Sequence, residues 1–103
     1  MNGETITMVR LYLSEGEAQL STLMKRLHDW EKLRGVTVFR GISGFGGSGD
    51  IHTWSLVNLS LDLPIVVEFF DTPEKIEKAI EHLGPLVKPG HLVWWQVNVN
   101  GAP

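Results

Sequence analysis

The chain has 103 residues, which is room for one domain with one core, and its apolar share of 43% is that of a folded globular protein rather than a disordered one. Nine Lys and Arg against twelve Asp and Glu give a net charge of −3, which argues against nucleic acid as the main partner. Cys is absent, which excludes disulfides, thiolate metal sites and a Cys nucleophile and fits a cytoplasmic location. Met1-Asn2-Gly3-Glu4 lacks the basic start and apolar stretch of a secretory leader, and no apolar run reaches the ~20 residues that cross a bilayer.

Thr5 to Leu13 alternates Val9, Leu11 and Leu13 with Met8, Arg10 and Tyr12, the period of a strand. After a turn at Ser14-Glu15-Gly16-Glu17, Leu20, Leu23, Met24, Leu27, Trp30 and Leu33 recur every three or four residues, one helical stripe, with Arg34-Gly35 as its stop. Val36 to Arg40 is a β-branched and aromatic second strand. Gly41, Gly44, Gly46, Gly47 and Gly49 follow, too many glycines for the interior of a regular element, and residues 50–60 have a strand-like composition. Leu61 to Phe70 is nearly continuously apolar, which suits a central strand covered on both faces.

Asp71-Thr72-Pro73-Glu74 is a helix start, a capping side chain followed by proline in the first turn, and Ile76, Ala79, Ile80 and Leu83 are its buried stripe before Gly84-Pro85. In the last strand Val93, Trp95, Val97 and Val99 are expected to face inward, with Leu92, Trp94, Gln96 and Asn98 opposite. The order strand, helix, strand, strand, helix, strand implies an α+β ferredoxin-like domain over residues 1–103, a four-stranded antiparallel sheet with both helices on one face. Met8, Tyr12, Phe39, Phe70 and Trp94 are then left on an uncovered face, which implies a homo-oligomer; the alternative is a monomer with scattered surface aromatics.

Gly44-Phe45-Gly46-Gly47-Ser48-Gly49 spells G-x-G-x-x-G. The string opens no helix in a parallel crossover, so it is not a dinucleotide fingerprint, and the chain is too short for a kinase. An RNA-recognition domain would carry its Gly-Phe-Gly string on the third strand rather than in a loop of an acidic protein. The remaining physical reading is a loop whose backbone N–H groups converge on an anion, with Arg40 adding positive charge at its entrance; a flexible hairpin connection is the alternative.

The run from Thr37 to Thr53 (TVFRGISGFGGSGDIHT) resembles the pattern of a bacterial domain-of-unknown-function family grouped with the PII-like proteins. Asp62-Leu63-Pro64-Ile65-Val66-Val67-Glu68 and Asp71-Thr72-Pro73-Glu74-Lys75-Ile76 also fit, so the resemblance spans roughly residues 6 to 99. It implies a homotrimeric signalling protein that is not an enzyme and needs no cofactor. A small anion such as an adenine nucleotide would bind between subunits at the loop base, and the 42–58 loop would contact a protein target such as a membrane transporter or channel.

The resemblance places Arg40, Gly44, Phe45, Gly46, Gly47 and Ser48 near that cleft, with His52 beside them and Lys88-Pro89-Gly90-His91 as the opposing wall. Typical PII proteins hold phosphates with a Gly-x-Gly-Lys-like turn and with arginines after the last strand. Here only Lys88 precedes Gly90 and the tail is Asn100-Gly101-Ala102-Pro103, so the ligand stays open between an adenine nucleotide and another small anion. The loop also has no tyrosine to be uridylylated, since Tyr12 is the only one.

His28, His52, His82 and His91 lack metal-ligand spacing, and His28 and His82 are expected on solvated helix faces. Ser43, Ser48 and Ser55 have no His/Asp partners fixed by spacing. A phosphatase acting at the loop base and a ligand-independent interaction protein are the alternative functions. Glu68, on a central strand among apolar residues, is expected to pair with Arg10 at the trimer interface.

Overall fold

The computed structural model describes residues 3–14, 20–29, 31–45, 51–53 and 63–101. Within them the chain forms β1 (Gly3–Ser14), α1 (Leu20–Asp29), β2 (Val36–Arg40), β3 (Ser43–Phe45), β4 (Ile51–Thr53), β5 (Pro64–Asp71), α2 (Pro73–Leu83), a 3₁₀ turn (Gly84–Leu86) and β6 (Leu92–Asn100). The main sheet is antiparallel in the order β2-β5-β1-β6, the expected ferredoxin-like arrangement, and β3 and β4 form a separate two-stranded ladder.

Alternation along β1 and β5 builds the core. Val9 and Leu11 on β1 and Ile65, Val67 and Phe69 on β5 turn to the helix side, where they meet Leu27 of α1 and Ile76, Ala79 and Leu83 of α2. Each large side chain buried this way contributes about 1.5–3 kcal/mol. α2 begins as its sequence dictates. The Thr72 hydroxyl accepts a 3.4 Å hydrogen bond from the Lys75 N–H, and Pro73 occupies the first turn, where no intrahelical N–H is missed.

Three expectations need correction. α1 ends at Asp29, not at Arg34-Gly35. The chain leaves it through wide backbone bonds, Glu31 N–H to Arg26 O and Leu33 N–H to Leu27 O, with Lys32 left-handed at φ 52°. Leu33 still packs on the core, so tertiary packing preserves the periodicity past the helix itself, while Trp30 lies outside the described residues. Arg34, expected as a helix-end cation, instead donates its backbone N–H to the Asp71 carboxylate at 3.0 Å.

The second correction concerns β6. Its register with β1 sets Trp95 opposite Met8, Val93 opposite Arg10 and Val97 opposite Ile6. Directly opposed residues share a face. Val93, Trp95, Val97 and Val99 therefore lie on the face the helices leave uncovered, and Leu92 and Trp94 lie on the helix side, the reverse of the expectation. Period two shows which residues share a face but not which way that face points. Third, Gly44 sits inside β3, because Ser43-Gly44-Phe45 pairs with the β-favouring Ile51-His52-Thr53.

The uncovered face is thus richer in apolar residues than the sequence suggested. It carries Met8, Tyr12, Phe39, Val66, Phe70, Val93, Trp95, Val97 and Val99, of which Phe39 is 48% and Trp95 40% exposed, while Ile6 on the same side is fully buried.

Candidate functional site

Four chain segments meet at one end of the main sheet: the end of β2 at Arg40, the start of β5 at Pro64, the end of β1 and the start of β6. The glycine-rich loop leaves from this end, and its exit is fixed by backbone contact. Gly41 donates its N–H to Pro64 O at 2.7 Å, and a Cβ at Gly41 would stand 2.6 Å from Pro64 Cγ. No side chain fits that approach unchanged, so glycine is required there for space rather than for φ. Sequence reasoning counted Gly41 among the loop glycines without assigning it this role.

Beyond Gly41 the ladder pairs Ser43 with Thr53, Gly44 with His52 and Phe45 with Ile51. The fold thereby gathers Arg40, Gly44, Phe45 and His52 along the loop base. Gly46, Gly47 and Ser48 lie outside the described residues, as do 54–60. Arg40 pairs with Ile65, whose side chain is in the core, so it leaves β2 on the helix side, where it is exposed.

Lys88 and Gly90 sit on the other edge of the sheet. Lys88 O accepts from His91 N–H at 3.0 Å, closing a turn in which Gly90 has φ +82°, a conformation that side chains resist. The turn is clasped to β1. Tyr12 donates its backbone N–H to His91 O at 2.8 Å, and His91 Nδ1 lies 2.9 Å from Tyr12 O. His91 therefore anchors the turn to the strand end, which was not legible from its position before a strand.

Two strands, β5 and β1, separate the edge bearing Arg40 from the edge bearing this turn. Three inter-strand steps of about 4.8 Å put the two walls roughly 14 Å apart within one chain. One copy does not bring them together.

The other histidines are accounted for elsewhere. His28 is largely exposed beside Asp29, and His82 Nδ1 lies 3.1 Å from Glu31 Oε1. Among the described residues no group of three or more His, Asp or Glu is placed to hold a metal ion. A groove of 280 Å³ between Pro73, Ile76 and Ile80 of α2 and Trp94 of β6 lies toward the far end of the sheet from Arg40. Among the described residues no helix is long and apolar enough to cross a membrane.

The expected pairing of Glu68 is present on the uncovered face. Arg10 Nε donates to Glu68 Oε2 at 2.6 Å, and the guanidinium lies 5.6 Å from the centre of the Trp95 ring. The Glu68 carboxylate first, and the Tyr12 hydroxyl second, hold Arg10 above the usual arginine range, so it stays charged.

The family model described as DUF190 (Uncharacterized ACR, COG1993) matches residues 6–99. The chain belongs to this family. A UPF0166 protein of Aquifex aeolicus is 36% identical over 80 residues, covering 74% of this chain and 76% of its own. The UPF0166 protein MJ1524 of Methanocaldococcus jannaschii is 29% identical over 90 residues, covering 84% and 82%. In fold, this DUF190 chain is similar to CPII of Thiomonas intermedia bound to ADP and bicarbonate, with a TM-score of 0.68 at 18% identity over 95% of this chain and 91% of that one. A putative PII-like signalling protein of Thermus thermophilus aligns at a TM-score of 0.57 and 18% identity, over 96% and 91%. The fold is that of the PII-like proteins.

Proposed function

We propose that this DUF190 protein is a PII-like regulator rather than an enzyme, a single domain that binds a small anion between copies and signals through its 42–58 loop. Three copies assemble with their uncovered sheet faces inward. The anion, an adenine nucleotide in the first instance, sits where the Arg40 end of β2 in one copy meets the Lys88–His91 turn of the next. Gly44, Phe45, Gly46, Gly47, Ser48 and His52 form the loop side of this cleft, and Lys88 and Gly90 the turn side. The loop then contacts a protein target from a cytoplasmic position.

The observation that carries this reading is the placement of the two walls. Both are at the same end of the sheet yet on opposite edges, which supports a site shared between two chains. The apolar uncovered face supports the same assembly, because a monomer rarely exposes so large a contiguous patch. The fold's likeness to a protein bound to ADP and bicarbonate supports the ligand class.

The test is calorimetric titration of the wild-type protein with ADP, AMP, ATP and bicarbonate, alongside sedimentation velocity. The expected result is a trimer that binds at least one adenine nucleotide and loses that binding on Arg40→Ala. A monomer sinks the assembly; no heat with any of the four, or equal binding by Arg40→Ala, sinks the site.

A further inference from the structure

The uncovered face is mostly apolar, with Thr37 beside Glu68, Glu4 (ion-paired with Arg34) at one end, and a second charged pair in its middle. Arg10 and Glu68 stand directly opposite each other on β1 and β5, the two inner strands of the sheet. Around them lie Met8, Tyr12, Val66, Phe70, Val93 and Trp95. The Glu68 side chain is 21% exposed and the Arg10 side chain 41%, so both are partly covered and still reachable from the face. The bonds of Arg10 to Glu68 through Nε and to the Tyr12 hydroxyl leave others of arginine's five donors over, and a carboxylate accepts several bonds.

An ion pair in this position is a poor source of stability. Removing it from water costs much of what its attraction returns, and apolar residues of similar size would pack as well or better. Its physical consequence is selectivity. Rows of Val, Trp and Met repeating every second residue present similar surfaces after a two-residue slide along the strands, so apolar packing alone fixes alignment weakly. A charged pair tolerates only an alignment in which its remaining donors and acceptors find partners. The face carries both signs side by side, so it is complementary to itself and its occupant is another copy of this chain.

We infer that the Arg10–Glu68 pair, with its guanidinium against Trp95, fixes how copies of this chain align on the uncovered sheet face. Donors of Arg10 not used within its own chain bond the Glu68 carboxylate or Tyr12 hydroxyl of a neighbouring copy. This rests on the assembly proposed above and adds what determines its geometry and stoichiometry.

The test replaces the pair by apolar residues of similar size, Arg10→Met with Glu68→Leu, and also reverses it, Arg10→Glu with Glu68→Arg. Native mass spectrometry and sedimentation velocity read the stoichiometry, and melting at fixed protein concentration confirms that each variant is folded. The wild type should show one dominant species. The apolar double variant should fold, melt no lower than the wild type, and lose that single stoichiometry to a mixture. The reversed pair should restore one dominant species. An apolar double variant that keeps the wild-type stoichiometry alone overturns the role of the pair and leaves the assembly standing. A wild-type monomer overturns both.

Discussion

Substituting Gly41 by alanine tests how the loop base is held. A Cβ there meets Pro64 Cγ at 2.6 Å, and Pro64 Cβ and O at 3.4 Å. The proline ring cannot swing aside as the end of a flexible side chain would, and it begins β5. Relief must come from moving the backbone apart, which stretches the 2.7 Å bond from Gly41 N–H to Pro64 O. Overpacking a fitted contact costs ~1–3 kcal/mol, with a weakened hydrogen bond adding up to ~1 kcal/mol. A loss near ~2 kcal/mol lowers the melting temperature of a domain this size by ~8–16 °C. The control is Gly35→Ala, where a Cβ meets nothing within 4 Å and φ is not left-handed. That variant should be neutral or gain ~0.4–1 kcal/mol from the reduced freedom of the unfolded chain. Thermal melting by circular dichroism at one protein concentration reads both. If Gly41→Ala melts with the wild type, or Gly35→Ala falls as far, the close approach to Pro64 is not what requires glycine.

Other substitutions probe the frame that carries the site. Ile76→Ala removes a side chain 1% exposed between α2 and the sheet and should cost ~2–5 kcal/mol by chemical denaturation. Thr72→Ala deletes the α2 cap for ~1 kcal/mol, with Thr72→Ser or Thr72→Asp restoring most of it. Asp71→Ala leaves the Arg34 and Thr72 N–H groups without the carboxylate that accepts from both, at 3.0 and 2.8 Å, and should cost ~2–4 kcal/mol in urea unfolding. Gly90→Ala forces a side chain to φ +82° for ~1–2 kcal/mol, and hydrogen exchange should show faster opening at His91 and Tyr12, whose amides the turn protects.

Most of the fold could be read from the sequence because its signals are local. Thr72 and Pro73 start α2 by local chemistry that needs no distant partner. The alternation of β1 was equally plain, and the Glu68–Arg10 pair followed from a carboxylate that could not stand alone on an apolar strand. The misses were all set by tertiary structure. The face of β6 depends on its register with β1, which no property of Leu92–Asn100 reveals. α1 stops at Asp29 because its exit is bonded back to Arg26 and Leu27, while Leu33 keeps the apolar rhythm from outside the helix. The site was half legible. The glycines and Arg40 marked the loop base, but its separation from Lys88 by two strands emerges only when the sheet order is known. Gly41 is held through backbone groups and His91 through both its backbone and its ring, each against a partner distant in sequence, so neither role showed locally.

The central claim, a ligand site shared between copies, is tested most directly by complementation. Arg40→Ala damages one wall and Lys88→Ala the other, and neither variant alone should bind ADP in a calorimetric titration. Unfolding and refolding the two together makes mixed assemblies, in which a copy with intact Arg40 stands next to a copy with intact Lys88. Those assemblies should regain binding with wild-type affinity at a reduced number of sites. A mixture as inert as its components, or a single variant that still binds like the wild type, contradicts a cleft built from two chains.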